Sequence, residues 1–168
     1  MGIVESTYAE LKQQELKNNP YSCLHMADID INPHQIEAFT FALSSLELGG
    51  AILADEVGLG KTIEAGLVIK YLLCSGKDKI LLIMPSNLRK QWQVELEEKF
   101  DIDSLIVDSS NWEDYLTKVK SKQAVIIVSY HFASKRKAEF GKIAWDFCVF
   151  DEAHRLRNVY KNGSKMAN

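Results

Sequence analysis

Asp55-Glu56-Val57-Gly58-Leu59-Gly60-Lys61-Thr62 is the stretch on which the fold turns. It stands between a short apolar run at 51–54 and a longer amphipathic run at 61–74, which predicts a strand, a glycine-bearing turn and a helix. Glycine at 58 and 60 lets the backbone pass close to a bound group that a Cβ would hold off. Successive N–H groups in such a turn, together with the positive end of the following helix, stabilise a polyphosphate. Lys61 adds a point charge for the outer phosphates, and the Thr62 hydroxyl suits Mg2+, an ion that prefers oxygen ligands and retains several waters. The general phosphate-loop pattern, G-x-x-x-x-G-K-[ST], wants glycine at 55, where this chain has aspartate. By itself the loop leaves open a plain glycine-rich turn followed by a surface lysine.

Downstream, apolar runs too short for helices, at 80–84, 105–107, 124–128 and 147–150, alternate with helical stretches at 87–100, 112–119 and 131–140. Strands alternating with helices predict a parallel sheet with crossover connections, its strands buried on both faces. Upstream, Asn32-Pro33 opens a helix with its stripe at Ile36, Phe39, Leu43 and Leu46, ended by Gly49-Gly50. Residues 5–17 are polar with Tyr8, Leu11 and Leu16 at loosely helical spacing. The expected architecture is a doubly wound, mainly parallel α/β sheet: a helical extension over 1–28, then one domain over 29–168.

The second informative stretch is the run 145–150, read as a buried strand that delivers Asp151-Glu152-Ala153-His154 at its carboxyl end. In open α/β sheets ligands bind at that edge. Asp151 suits Mg2+, held directly or through water, and Glu152 is placed to polarise a water attacking a terminal phosphate. An Asp-Glu pair after a strand serves equally well to start a helix as N-cap and favourable dipole partner. Paired with Lys61 and Thr62 in the same α/β pattern, it points to a nucleotide.

Composition is that of an ordinary globular protein, with 168 residues, 46% hydrophobic and 26% charged. A formal net charge of -3 gives no global attraction for nucleic acid, so such binding would have to be local. The basic runs Lys118, Lys120, Lys122 and Lys135-Arg136-Lys137 read as solvated surface. Three cysteines without C-x-x-C spacing and four separated histidines support neither a disulfide framework nor zinc, and fit a reducing cytoplasm. No apolar run reaches the ~18 residues of a membrane span.

With both motifs placed, the chain resembles the first RecA-like lobe of superfamily 2 helicases, a P-loop NTPase fold, and more closely the SWI/SNF-type ATPases. Asp55 to Thr62 is similar to their D-E-x-G-L-G-K-T loop, which accounts for aspartate at 55, and Asp151 to His154 resembles the DEAH box. Asn32-Pro33-His34-Gln35 resembles the element whose glutamine reads adenine; an exposed helical glutamine is the plainer account. Pro85-Ser86-Asn87-Leu88 with Gln91-Trp92 resembles motif Ia, and Ser129-Tyr130 a further strand-contacting motif, so Ser86, Asn87 and Ser129 are expected at nucleic acid, with helix capping as their other use. The longer string 53–66 looks most like bacterial, RNA-polymerase-associated members.

The resemblance implies ATP and Mg2+ as ligands, held by Gln35, Asp55, Gly58, Leu59, Gly60, Lys61 and Thr62, with Thr62 and Asp151 on the metal. Lys61, Asp151 and Glu152 are then the catalytic groups of an ATP hydrolase that moves along double-stranded DNA in a bacterial cytoplasm, with RNA polymerase or another protein as partner. The family's motor has a second lobe carrying arginine fingers, which these residues do not include; related fingers contribute ~10³ to 10⁵ in turnover, so the chain alone is expected to hydrolyse ATP slowly or not at all. Family topology also inserts a strand, following the acidic box, between the phosphate-loop strand and the box strand, so the sheet here is expected to lack a central member. An RNA helicase, another P-loop ATPase lobe, and a nucleotide-binding module without turnover remain as alternatives.

Overall fold

The computed structural model describes residues 19–20, 22, 31–53, 60–118 and 124–156. The chain divides into two compact units, residues 1–77 with 98–101, and residues 78–97 with 102–168.

In the first unit, α1 (Pro33–Leu46) carries proline at its first position, where a missing N–H costs nothing because helix starts have no acceptor for it. Its buried side chains are Gln35, Phe39, Ala42 and Ser45, while Ile36 is exposed. The expected stripe through Ile36 is therefore rotated by about one residue, because the glutamine at 35 turns inward. The second helix, α2 (Lys61–Cys74), has the expected bounds and buries Glu64, Gly66, Leu67, Val68, Ile69 and Leu72. Phe39 meets Tyr71 edge-to-face at 6.1 Å, joining the two helices. Residues 51–53 were expected to form a strand and do not; Ile52 is 86% exposed. An apolar run becomes a strand only where a neighbour receives its backbone groups, and no described strand pairs with this one.

In the second unit the described strands β1 (Lys79–Met84), β2 (Ser104–Ile106), β3 (Ala124–Ser129) and β4 (Phe147–Phe150) form one parallel sheet in the order β2-β3-β1-β4. The crossovers are α3 (Arg89–Phe100), α4 (Trp112–Lys118), and the pair α5 (Tyr130–Lys135) and α6 (Lys137–Phe140); the last turn of α3 clusters with the first unit. Parallel strands buried on both faces read as continuous apolar runs, as Ile80–Met84 and Val125–Val128 do here. One face belongs to a core of Leu81, Ile83, Ile126 and Val128 packed with Trp112, Tyr115, Phe132 and Phe140.

Three expectations for this unit need correction. The helix at 131–140 is two helices broken at Arg136, whose backbone (φ -111, ψ 24) leaves the helical region. Its guanidinium lies 5.6 Å over the Trp112 ring and pairs with Glu139 at 2.8 Å, so the side chain is held against the core at the break. Short runs at 105 and 147–150 are edge strands rather than buried ones: Leu105 is 42% and Phe150 48% exposed, because no described strand covers the outer edge of either. At the amino end of the sheet, Asp146 accepts the N–H groups of Asp78 and Lys79 at 3.1 and 3.0 Å and donates its own to the Lys79 carbonyl, which sets the β1–β4 register. No described helix is long and apolar enough to cross a membrane.

Candidate nucleotide site

The β1–β3 register pairs Met84 with Ser129, and the β1–β4 register pairs Ile83 with Phe150. Asp151 continues that ladder by one step, donating its N–H to the Ile83 carbonyl at 3.0 Å. Three chain segments thus leave adjacent parallel strands at one level: Pro85–Leu88, Tyr130 onward, and the acidic box. The carboxyl edge expected from the sequence to carry chemistry brings these motifs together.

Asp151 is held from several directions. Its Oδ2 accepts the Trp92 indole N–H at 2.9 Å, its Oδ1 accepts the Glu152 N–H at 2.8 Å, and its carbonyl accepts the Tyr130 hydroxyl at 2.8 Å. Each carboxylate oxygen has about two acceptor positions, so these bonds leave room for an ion or its water on both. Glu152 sits at φ +55, a left-handed backbone that costs a non-glycine residue about 1 kcal/mol or more. Its side chain is 46% exposed, and its carboxylate meets His154 Nδ1 at 2.9 Å. That half-exposed placement suits a group that works on water.

Pro85–Leu88 form a turn closed by the Leu88 N–H on the Pro85 carbonyl at 3.0 Å, with Ser86 and Asn87 at its exposed tip and Arg89 Nε on the Ser86 carbonyl at 3.3 Å. An exposed tip of two small polar side chains fits a backbone contact. Ser129 is different: it is 7% exposed, and its Oγ accepts the Phe132 N–H at 3.1 Å as N-cap of α5. That is the capping use weighed for it above.

In the first unit, Gly60 stands immediately before α2 at φ +93, a conformation natural to glycine. A Cβ there would come within 2.9 Å of Gln35 Nε2. Gln35 is not the exposed helical glutamine of the plainer account; it is 3% exposed, and its Oε1 accepts the Asn32 N–H at 3.0 Å. Lys61 and Thr62 occupy the first turn of α2, where helix N–H groups point outward without helical acceptors. Asp55, Gly58 and Leu59 lie outside the described residues. Within this unit, a lysine and a threonine behind a left-handed glycine fit a polyphosphate and its cation in kind.

Sequence reasoning passed over Trp92 and Tyr130 as site residues. A signal existed for Trp92, since a buried indole N–H must find an acceptor, but its identity depended on the β1–β4 pairing. Glu64 also went unassigned; it is fully buried in the first turn of α2, on the helix end that favours negative charge.

A family model described as the SNF2-related domain matches residues 34–168. RNA polymerase-associated protein RapA of Yersinia enterocolitica is 34% identical over 151 residues, and that of Yersinia pseudotuberculosis 32% over 151 residues. Each match covers 86% of this chain and 16% of the relative, so the chain spans under a fifth of these relatives' length. Among solved structures, the Sulfolobus solfataricus SWI2/SNF2 ATPase core in complex with dsDNA matches with a TM-score of 0.68 at 24% identity, over 81% of this chain and 29% of that one. That likeness is one of fold.

Proposed function

Because the chain belongs to the SNF2-related domain family, with the fold of its RecA-like core, we propose that it is the ATP-binding lobe of an ATP-dependent translocase acting on double-stranded DNA. The observation that carries this reading is the placement of Asp151 at the carboxyl edge of the sheet, its carboxylate oriented by the fold yet with acceptor capacity left over. Within it, the loop ending at Gly60 cradles the phosphates, Lys61 neutralises their outer charge, and Gln35 contacts the base through its remaining amide donor. Thr62 and Asp151 are each residues that would hold magnesium, and the ion when bound would draw charge from the phosphate oxygens and favour phosphoryl transfer. Glu152 accepts a proton from the attacking water; its exposure gives that water access.

Ser86 and Asn87 are placed to meet the polymer backbone, and the family relatives suggest RNA polymerase as a protein partner of the whole molecule. For Ser129 the capping bond leaves the hydroxyl proton able to donate to a phosphate. The domain reading, a short extension over 1–28 and a lobe over 29–168, belongs to the same proposal.

The test is binding of a fluorescent ATP analogue in the presence of Mg2+. Lys61→Ala removes a charge-assisted contact and lowers affinity by about 10- to 100-fold; Glu152→Gln retains the affinity of the parent and, in a molecule that turns ATP over, abolishes hydrolysis. Unchanged affinity in Lys61→Ala would discard the phosphate-loop assignment. Stimulation by RNA in place of duplex DNA would redirect the proposal to an RNA helicase.

A further inference from the structure

The carboxylate of Asp151 is tied to the helix that follows the Ser86–Asn87 turn. Trp92 lies in the first turn of α3, its N–H on the Leu88 carbonyl at 3.0 Å, and Leu88 closes that exposed turn on Pro85. The indole is 4% exposed, so rotation about its side-chain torsions is blocked by packing, and its Nε1–H reaches Asp151 Oδ2 at 2.9 Å. Tyr130, 7% exposed, fixes the same residue from the end of β3 by donating to its carbonyl. Backbone pairing with Ile83 would by itself fix the Cα of residue 151 and leave its carboxylate free to turn about χ1 and χ2.

We infer that Trp92 is a positioning residue for Asp151: its indole N–H sets the orientation of the carboxylate that holds magnesium, with the Tyr130 hydroxyl fixing the backbone behind it. The inference rests on the reading of Asp151 as a magnesium ligand. Groups that hydrogen-bond to metal ligands act by fixing orientation and adjusting basicity, and their removal costs about 10- to 100-fold in metal affinity. A phenylalanine at 92 keeps the apolar packing and deletes the donor. Held then only through Oδ1 by the Glu152 N–H at 2.8 Å, the carboxylate would sample a wider range of orientations, and more magnesium would be needed to reach the same bound state.

Two measurements on the chain test this. The first needs no nucleotide: the Trp92 indole 15N–1H resonance, assigned by its loss in Trp92→Phe, moves upfield in Asp151→Ala when the acceptor is removed. A resonance that stays in place overturns the proposal, whatever the nucleotide does. The second is a magnesium titration of fluorescent-ATP binding in the parent, Trp92→Phe and Tyr130→Phe. Support is a rise of about 10-fold in the magnesium midpoint of Trp92→Phe, a smaller rise in Tyr130→Phe, and unchanged nucleotide affinity without magnesium. An unshifted midpoint, or an equal loss with and without magnesium, means the bond serves packing and overturns the positioning role. Absence of nucleotide binding by the parent would count against the function proposed above, and the resonance measurement would then decide alone whether Trp92 holds Asp151.

Discussion

Tyr115→Phe should stabilise the protein, and more so as the solution becomes alkaline. Tyr115 is 1% exposed in the core of the second unit, its ring 5.4 Å from Trp112, and its hydroxyl has no hydrogen-bond partner among the described residues. An unsatisfied buried hydroxyl carries a desolvation cost of about 1–3 kcal/mol, of which deletion recovers about 1 once the small void left by the oxygen is allowed for. Burial also pushes the phenol pKa up to about 12 from its ordinary 10. Below pH 10 folded and unfolded chains are both protonated and the shift contributes nothing. Between 10 and 12 the unfolded chain releases the proton first, so stability falls as pH rises, and above 12 the loss is complete. At pH 11 part of that loss, on the order of 1 kcal/mol, is expressed, and phenylalanine has none of it. Urea unfolding of both proteins at pH 8 and pH 11 should show the variant ahead by about 1 kcal/mol at the lower pH and about 2 at the higher. A variant less stable than the parent at pH 8, or a gap that does not widen by pH 11, would refute the burial of an unpaired hydroxyl in this core.

Gly66→Ala, normally worth about 1 kcal/mol to a helix interior, should instead destabilise by about 1–2 kcal/mol, since the new Cβ would lie 2.3 Å from Phe100 Cε2 and that ring is fully buried. Thermal melting checks it, with Phe100→Leu added to the Gly66→Ala variant recovering part of the loss; a raised melting temperature in the single variant would contradict the contact. Gly60→Ala places a Cβ against Gln35 Nε2 and forces alanine to φ +93, so affinity for the fluorescent ATP analogue should fall about 10-fold. Parent-like affinity there would mean that the loop ending needs no left-handed residue.

Much of the helix and strand pattern was legible in the chain order. The bounds of α2, and those of β1, β3 and β4 to within a residue or two, followed from apolar periodicity, because parallel buried strands and amphipathic helices have different repeats. Burial was less legible. Residues 51–53 and β4 have the composition of interior strands, yet exposure depends on whether a neighbour exists on the far side, and local composition holds no information about that. Likewise Gln35 faces inward because its carboxamide caps α1 and lies beside Gly60, contacts that apolar periodicity cannot register.

The chemistry-bearing residue types, Lys61 and Thr62 behind glycine and Asp151-Glu152 after an apolar strand, were determined by the sequence alone, since charge, hydroxyl and backbone freedom are properties of single residues and their spacing. Only the tertiary structure decided that Pro85–Leu88, Ser129–Tyr130 and Asp151 share one edge, and that Trp92 and Tyr130 grip Asp151. Strand register brings together residues far apart in the chain, and a hydrogen bond of 2.9 Å exists only once that register is set.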